Sequence, residues 1–348
     1  MPSKHCMITG GAGFIGSNLA DRLLRLGHSV TVFDNLSRAG AELNLEWLRA
    51  EHAERLQFLR ADVRDSQAVG QAVDGAEVVY HLAGQTAVTT SVSHPRSDFE
   101  TNALGTLNVL EAARHSRADP IVVYASTNKV YGDLGNVGIV EQATRYAFSN
   151  LPQGVNEEQP LLFQSPYACS KGVADQYALS YFDLFGLRTV VLRQSCIYGP
   201  RQMGFEDQGW VAWFLIASLL RKKISVFGDG KQVRDLLHVE DLLAAYEAAV
   251  NRIDRTQGRA YNLGGGAEMT LSVWAEFEPL LAEVLGTSPG EPRFADWRPG
   301  DQRVFFCDLE RAGRDLDWQP RIGPNEGIRG LVDWIRANES LFVQVSGR

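Results

Sequence analysis

The chain is short of cysteine, of positive charge and of long apolar runs, and each shortage excludes something. Its 348 residues hold four cysteines, Cys6, Cys169, Cys196 and Cys307, with no C-x-x-C spacing. Neither a zinc site nor a disulfide framework is suggested, and no metal is expected. Lys and Arg number 34 against 42 Asp and Glu, a formal charge of -8. That balance argues against a nucleic-acid surface, yet it leaves room for a local cationic pocket for an anionic small molecule. No apolar run approaches the roughly 18 residues of a membrane span. Residues 1–6 run at once into an apparent strand, which reads as a chain without a signal peptide and points to a reducing cytoplasm. Repeats and low-complexity tracts are absent from the sequence.

What the chain does have is apolar mass and a regular alternation. It is 45% hydrophobic, enough for a large core and for more than one typical domain. Short apolar runs at 6–9, 29–33, 56–60, 78–81, 121–125 and 189–192 predict strands. Helical patterns at 14–26, 43–51, 66–73, 98–115 and 167–185 lie between them. Strands alternating with helices imply βαβ units and a parallel, doubly wound α/β sheet, which binds ligands at the carboxyl ends of its strands. After about residue 192 the pattern loosens into Gly- and Pro-rich joints, with helical stretches near 210–221, 239–251, 272–285 and 325–338. This divides the chain into residues 1–193, a Rossmann-type dinucleotide-binding unit, and 194–348, a smaller mixed unit for substrate. A segment near 234–261 is expected to return to the first unit.

The glycines at Gly10-Gly11-Ala12-Gly13-Phe14-Ile15-Gly16 follow the first strand directly and open the first helix. Glycine permits the tight turn and a close backbone approach, and the helix start offers N–H groups and a positive dipole end to a pyrophosphate. Asp34 ends the second strand. A carboxylate there accepts from both ribose hydroxyls of an adenosine and repels a 2′-phosphate, favouring NAD; nearby Arg38 keeps NADP open. Asp62-Val63 ends the third strand, with Asp62 either facing an adenine amine or capping a helix. His81-Leu82-Ala83-Gly84 ends the fourth and is placed to line the cofactor.

Chemistry is carried by Tyr167-Ala168-Cys169-Ser170-Lys171. On a helix, positions i and i+4 share a face. A phenol with an unperturbed pKa near ~10 is a poor base, and a fixed ammonium beside it is expected to lower that value. Such a Tyr can exchange a proton with an alcohol or ketone. Ser126-Thr127, after Ala125, stands where the fifth strand ends and points into the same crevice. Thr127 would hold the substrate oxygen, Tyr167 would act as acid and base, and Lys171 would hold ribose and tune the phenol. Ser165-Pro166 is a candidate helix start, with Ser165 as cap.

With these motifs, and with Thr101 to Thr106, Val130-Tyr131-Gly132, Tyr198-Gly199-Pro200, Gly228 to Asp235 and Arg298-Pro299-Gly300-Asp301, the chain from residue 4 to about 338 resembles the extended short-chain dehydrogenase/reductase family of sugar-nucleotide enzymes. The resemblance implies NAD as cofactor and a nucleotide-diphosphate sugar as partner, in a homodimer or homotetramer. It adds Asn35, Ser37 and Gln85 to the cofactor contacts, with Asn102 supporting the helix that carries Tyr167. For the substrate it implies Asn128, Lys129, Gln194, Cys196, Arg201, Gln208, Val226 and Gln232, with Arg234 and Arg298 on a pyrophosphate and Asp301 on a nucleoside ribose. For Arg234 a salt bridge stays open, and for Lys129 a structural cation. Trp210, Trp213 and Phe214 either stack on a base or pack a helix.

Several reactions use that scaffold. A dehydratase of the family carries Asp-Glu after the hydroxyl residue, whereas Asn128-Lys129 stands here. Redox-neutral epimerisation is therefore expected. The stretches from Ser126 to Asp133, Ala174 to Tyr177 and Asp207 to Phe214 resemble the CDP-paratose (CDP-tyvelose) 2-epimerase branch. The 39 residues between Thr127 and Tyr167 are long for the wider family, and in that branch the insert carries a Thr-Arg-Tyr, here Thr144-Arg145-Tyr146. A 4-epimerase, another nucleotide-sugar dehydrogenase and a catalytically idle NAD-binding regulator remain as alternatives. Cys196 replaces an Asn common in relatives, and is either a base beside a keto carbon or a small residue chosen for space.

Overall fold

Alternate residues of the inner strands pack to opposite sides of one sheet, and both sides are apolar. Ile8, Val32, Tyr80 and Val123 belong to one cluster, while Met7, Phe33, Val79 and Val122 belong to another. A strand buried on both faces is the mark of a parallel sheet covered by helices. The computed structural model, which describes residues 3–298 and 300–346, contains this sheet as seven strands. We name β1 (His5–Thr9), β2 (Ser29–Asp34), β3 (Leu56–Arg60), β4 (Val78–His81) and β5 (Ile121–Thr127). From edge to edge the order is Arg259–Leu263, Thr189–Gln194, β5, β4, β1, β2, β3. Every pairing in it is parallel. The chain winds one way from β1 to β3 and the other way from β4 onward, so a crevice opens above the carboxyl ends of β1 and β4.

This is a Rossmann-type doubly wound α/β fold with a smaller mixed C-terminal part. Helix α1 (Phe14–Arg25) and the Val239–Asn251 helix contribute to the first apolar cluster. The Pro166–Phe185 helix contributes to the second. A third cluster joins the Trp210–Leu219, Phe277–Leu285 and Pro324–Ala337 helices. The segment 234–261 divides. Strand Val233–His238 lies outside the large sheet, paired with Cys196–Tyr198, Thr270–Ser272 and Val304–Phe305, and only the helix and strand that follow it join the first unit.

Two helical expectations are corrected. Residues 98–115 do not form one helix: Pro95–Phe99 and Gly105–His115 are joined by a π-helical turn over Glu100–Leu104. A π-turn lets a side chain leave the regular ladder, here Asn102. Residues 272–285 begin as strand Thr270–Ser272, and the helix starts only at Phe277. Among the described residues no helix is long and apolar enough to cross a membrane.

Candidate active site

The glycine turn is built so tightly that side chains are excluded at its ends. Gly10 sits at φ +68, and a Cβ there would meet the Ala83 backbone nitrogen at 2.7 Å. At Gly16 a Cβ would stand 2.2 Å from the Gly10 carbonyl oxygen. Gly13 is the N-cap of α1 and supplies no side-chain cap. Unlike Ser165, whose hydroxyl accepts from the Ala168 N–H at 3.1 Å beside Pro166, it leaves the first-turn N–H groups of α1 to an outside acceptor. Asp34 is fixed from two sides: its carboxylate accepts from the Ala12 N–H at 3.0 Å and from the Leu36 N–H at 2.8 Å. Burial raises its pKa, and each oxygen keeps a lone pair for a ribose hydroxyl. Asp62 accepts from Asn35 and Arg64, and Arg64 in particular holds it well below the usual carboxylate range. The helix cap is Asp65 instead, which accepts from Gln67 and Ala68.

Behind the cofactor groove a buried relay locks the loop after β4 to the helix that carries Tyr167. The Thr106 hydroxyl spends its proton on the Asn102 carbonyl, so it accepts from His81 Nε2–H (2.9 Å); His81 Nδ1 then accepts from the Thr9 hydroxyl (2.6 Å), which itself accepts from the Ala83 N–H. Every donor in this chain points the same way, which fixes the tautomer as Nε2–H. Burial, with Lys171 nearby, takes the His81 pKa down to about 3, so the ring is neutral. The Asn102 side chain accepts from the Gln85 N–H and donates to the Gln85 carbonyl, Asp98 and Ser170.

Tyr167, Thr127 and Lys171 converge as expected, but their electrostatics reverse the expectation. Thr127 lines the cavity beside Tyr167 and favours the charged form of its phenol. Burial nonetheless pushes Tyr167 up to about 12. Lys171 donates to the Ala125 carbonyl and lies 4.4 Å from the centre of the Tyr124 ring. Burial holds its ammonium down to about 7, against the pull of Asp175 and Asp98. Desolvation disfavours charge on both groups and outweighs a favourable neighbour.

All of these groups open into one cavity of about 640 Å³. Gly10, Gly13, Phe14, Ile15, Gly16, Asp34, Asn35, Ser37, Arg38, Asp62, Val63, Leu82, Ala83, Gly84 and Ala125 line its cofactor end. Thr127, Asn128, Lys129, Tyr167 and Lys171 stand in the middle. Gln194, Cys196, Gln208, Gln232, Arg234, Arg298 and Asp301 line the far end, and Arg201 lines the rim where the Ala41–Glu51 helix meets it. Three expected contacts do not reach it. Asn102 and Gln85 lie behind the wall, bonded to each other. Val226 turns into the apolar cluster, while its strand neighbours Ser225 and Phe227 face the cavity.

The far end is rich in cations. Asp301 accepts from Lys129 at 3.1 Å and from Arg234 at 2.8 Å. Burial works against its charge, but these two cations hold it down to about 2. Arg234 is thus both salt-bridged and cavity-lining. Arg298 pairs with Asp207 and stacks 4.0 Å from the Phe227 ring centre; Pro299 lies outside the described residues. Arg201 lies 3.9 Å from the Trp47 ring centre on the cavity rim. The Gln208 and Gln232 side-chain oxygens and the Arg298 Nε are buried without a partner, and such groups call for an external donor or acceptor. Cys196 is pushed up to about 12 by burial, so its thiol is protonated at neutral pH and is no base. Trp210 and Phe214 pack on Phe277 and Trp274 and also border the cavity. Gln202, Asp207 and Phe227 line the cavity too, and no local pattern in the sequence singles them out.

Residues 6–264 match the model of the NAD dependent epimerase/dehydratase family. The chain belongs to that family. It is 42% identical to the CDP-paratose 2-epimerase of Salmonella typhi, over 94% of this chain and 98% of that one. It is 35% identical to the UDP-glucose 4-epimerase of Mycolicibacterium smegmatis, over 95% and 98%. Among solved structures it is similar to a dTDP-glucose 4,6-dehydratase of Streptomyces venezuelae with NAD bound, at TM-score 0.84 and 28% identity over 98% and 99%. It is also similar to a Thermotoga maritima UDP-glucose 4-epimerase with UDP-glucose, at TM-score 0.82 and 29% identity over 96% and 99%. Like its family, the chain is an NAD-dependent enzyme. The uncapped start of α1, the glycines that a Cβ would fill and the fixed Asp34 carboxylate fit that cofactor.

Proposed function

We propose that the protein is a CDP-sugar 2-epimerase that interconverts CDP-paratose and CDP-tyvelose. The observation that carries this reading is the single cavity in which the Thr127–Tyr167–Lys171 centre faces the Lys129, Arg234 and Arg298 cations. A redox centre for a hydroxyl and a receptor for a diphosphate share one chamber. The 42% identical 2-epimerase supports the choice of nucleotide and carbon. Asn128-Lys129 beside Thr127 supports epimerisation over dehydration, because the two carboxyl groups of a dehydratase are missing and an Asn amide cannot serve as an acid or base.

In this reading the turn at Gly10–Gly16 holds the pyrophosphate of NAD and Asp34 holds its adenosine ribose. NAD, when bound, would supply the acceptor for the hydride of the sugar carbon and the donor for its return. Tyr167 accepts the proton of the C2 hydroxyl and gives it back, Thr127 holds the C2 oxygen, and Lys171 holds a ribose hydroxyl and favours the phenolate. The keto-sugar turns between the two half-reactions while the cations keep the diphosphate in place. Residues 1–193, with the later segments that return to them, serve mainly the cofactor, and the rest of 194–348 serves the nucleotide-sugar. Four cysteines without a disulfide suit a reducing cytoplasm. The exposed Tyr177, Leu184 and Phe185 on the Pro166–Phe185 helix, with Phe99 nearby in sequence to Asn102, suit a homodimer or homotetramer.

The test is incubation with CDP-paratose without added NAD, followed by NMR of the sugar. A mixture of C2 epimers with no build-up of NADH is the expected result. Interconversion of UDP-glucose and UDP-galactose, with CDP-paratose untouched, would overturn this reading in favour of a 4-epimerase, the activity of two relatives above.

A further inference from the structure

The long insert between Thr127 and Tyr167 folds into a hairpin, Ile139–Glu141 paired with Tyr146–Phe148. Neither Arg145 nor Tyr146 lines the cavity. Both reach across the chain to the segments that do. The Arg145 guanidinium makes a two-pronged contact with Glu276, at 2.7 and 2.5 Å, and donates to the Thr270 hydroxyl at 3.1 Å. Glu276 also accepts from the Ser272 N–H, so one carboxylate gathers the hairpin and the strand that runs into cavity-lining Val273.

Tyr146 grips the other side. Its N–H donates to the Lys231 carbonyl at 3.0 Å and its hydroxyl to Asp229 at 2.6 Å. The ring lies against Trp297, which in turn covers Gly228 so closely that a Cβ there would touch the indole at 2.9 Å. Two cavity segments are therefore held together from behind. One is 228–234, which carries Gln232 and Arg234. The other is 297–301, which carries Arg298 and Asp301. A bidentate Arg–carboxylate pair and a hydroxyl–carboxylate bond are directional contacts that fix geometry as well as adding energy.

We infer that Arg145 and Tyr146 are positioning residues for the diphosphate end of the substrate: the hairpin is a strap that sets the spacing of Arg234 and Arg298. The inference rests on the proposal that this end receives a nucleoside diphosphate. Binding is set by how well those two cations match the phosphates, because charge-assisted bonds weaken as their distance and angle are lost. The cofactor end is untouched, because the strap makes no contact with the glycine turn.

The experiment is calorimetric titration of the NAD-loaded protein with CDP, UDP, GDP and dTDP, each variant being compared on whichever nucleotide the wild type binds best. A preference for UDP over CDP would count against the CDP-sugar proposal and leave the strap to be tested with UDP. Arg145→Ala is expected to weaken that nucleotide at least tenfold, Tyr146→Phe several-fold, and Arg145→Lys less than Arg145→Ala, all with wild-type NAD content. In turnover the loss should appear in KM, with kcat within about twofold. Nucleotide affinity within twofold of wild type in both Arg145→Ala and Tyr146→Phe overturns the inference, as does a fall in melting temperature with no change in affinity. Binding of none of the four nucleotides to wild type overturns the inference and the proposal together. If Arg145→Ala does not fold, Tyr146→Phe, which loses one oxygen, decides alone.

Discussion

Gly13 and Gly16 are three residues apart in one turn, yet alanine should cost NAD at both and folding stability chiefly at Gly16. At Gly16 an added Cβ would stand 2.2 Å from the Gly10 oxygen and 2.7 Å from the Gly11 Cα. Carbon atoms rest about 3.5 Å or more from such neighbours, so α1 must retreat by roughly 1 Å or the turn must deform. Both neighbours are backbone and cannot rotate away. Overpacking of this kind costs about 1–3 kcal/mol, and the rigid surroundings put Gly16→Ala at the upper end. At Gly13 the nearest atom is the Gly10 oxygen at 3.1 Å, φ is -70, and the new methyl points into the cavity. Gly is a somewhat better N-cap than Ala, so the folding cost of Gly13→Ala is about 0.5–1 kcal/mol. Its functional cost is different: the methyl stands where a pyrophosphate must approach the backbone. The assay is bound NAD per chain, released by denaturation, together with thermal midpoints of NAD-free protein with and without added NAD. Gly13→Ala should melt near wild type when both lack NAD, hold little NAD and gain little from its addition. Gly16→Ala should lose stability and NAD together. Full NAD occupancy in Gly13→Ala would refute the placement of the pyrophosphate at this turn, and a wild-type midpoint for Gly16→Ala would refute the packing argument.

Tyr167→Phe should retain NAD and lose turnover by at least about 10²-fold, the low end for acid–base catalysis; a variant keeping most of its kcat would remove Tyr167 from the proton path. Lys171 has its pKa lowered from 10.5 to about 7, so between pH 7 and 10.5 the unfolded chain binds more protons than the folded one. Its contribution to stability therefore rises with pH across that window and is unfavourable below it. In NAD-free protein, Lys171→Met should be more stable than wild type at pH 6 and lose part of that advantage at pH 9, read by urea denaturation; an advantage that grows with pH would contradict the burial argument. With its thiol pushed up to about 12, Cys196 carries on the order of one thiolate in 10⁵ at neutral pH. Epimerisation in deuterated water should therefore leave no deuterium at C2, and Cys196→Ala should stay within about tenfold of wild type; deuterium uptake abolished by that substitution would make the thiol a base after all.

The parts of this site that the sequence announces are those whose partners are near in the chain. Gly10 to Gly16, Ser165-Pro166 and the Tyr167–Lys171 spacing each declare a turn, a cap and a helix face within seven residues, and the structure forms all three. Asp301 is the opposite case. It was expected at a ribose, and it is held by Arg234 and Lys129, 67 and 172 residues away. No local pattern announces such a pair. The strand Arg259–Leu263 was expected only as part of a segment returning to the first unit, because its bounds show only beside Thr189–Gln194. The hairpin at 139–148 has three-residue strands, too short for an alternation to register, and its stability comes from Glu276 and Asp229, far along the chain. The π-turn at Glu100–Leu104 replaces a helical pattern that was itself correct; the need for Asn102 to meet Gln85 and Ser170 overrides it.

The same distinction governs the pair at the centre of the chemistry. Spacing says that a cation stands beside a phenol; only burial says what charge each carries. With Tyr167 near 12 and Lys171 near 7, moving a proton from phenol to amine spans about five pKa units, or about 7 kcal/mol. The two charges so made attract each other. Thr127, beside the phenol, also favours its charged form. The free enzyme therefore keeps a neutral phenol, and stabilisation of the phenolate or of the ammonium is what shifts the pair. Asp98 and Asp175, both buried, favour the ammonium from behind the site. Lys171 thus earns its place by carrying a charge that burial resists and two carboxylates sustain, and Tyr167 becomes a base only while that charge is held.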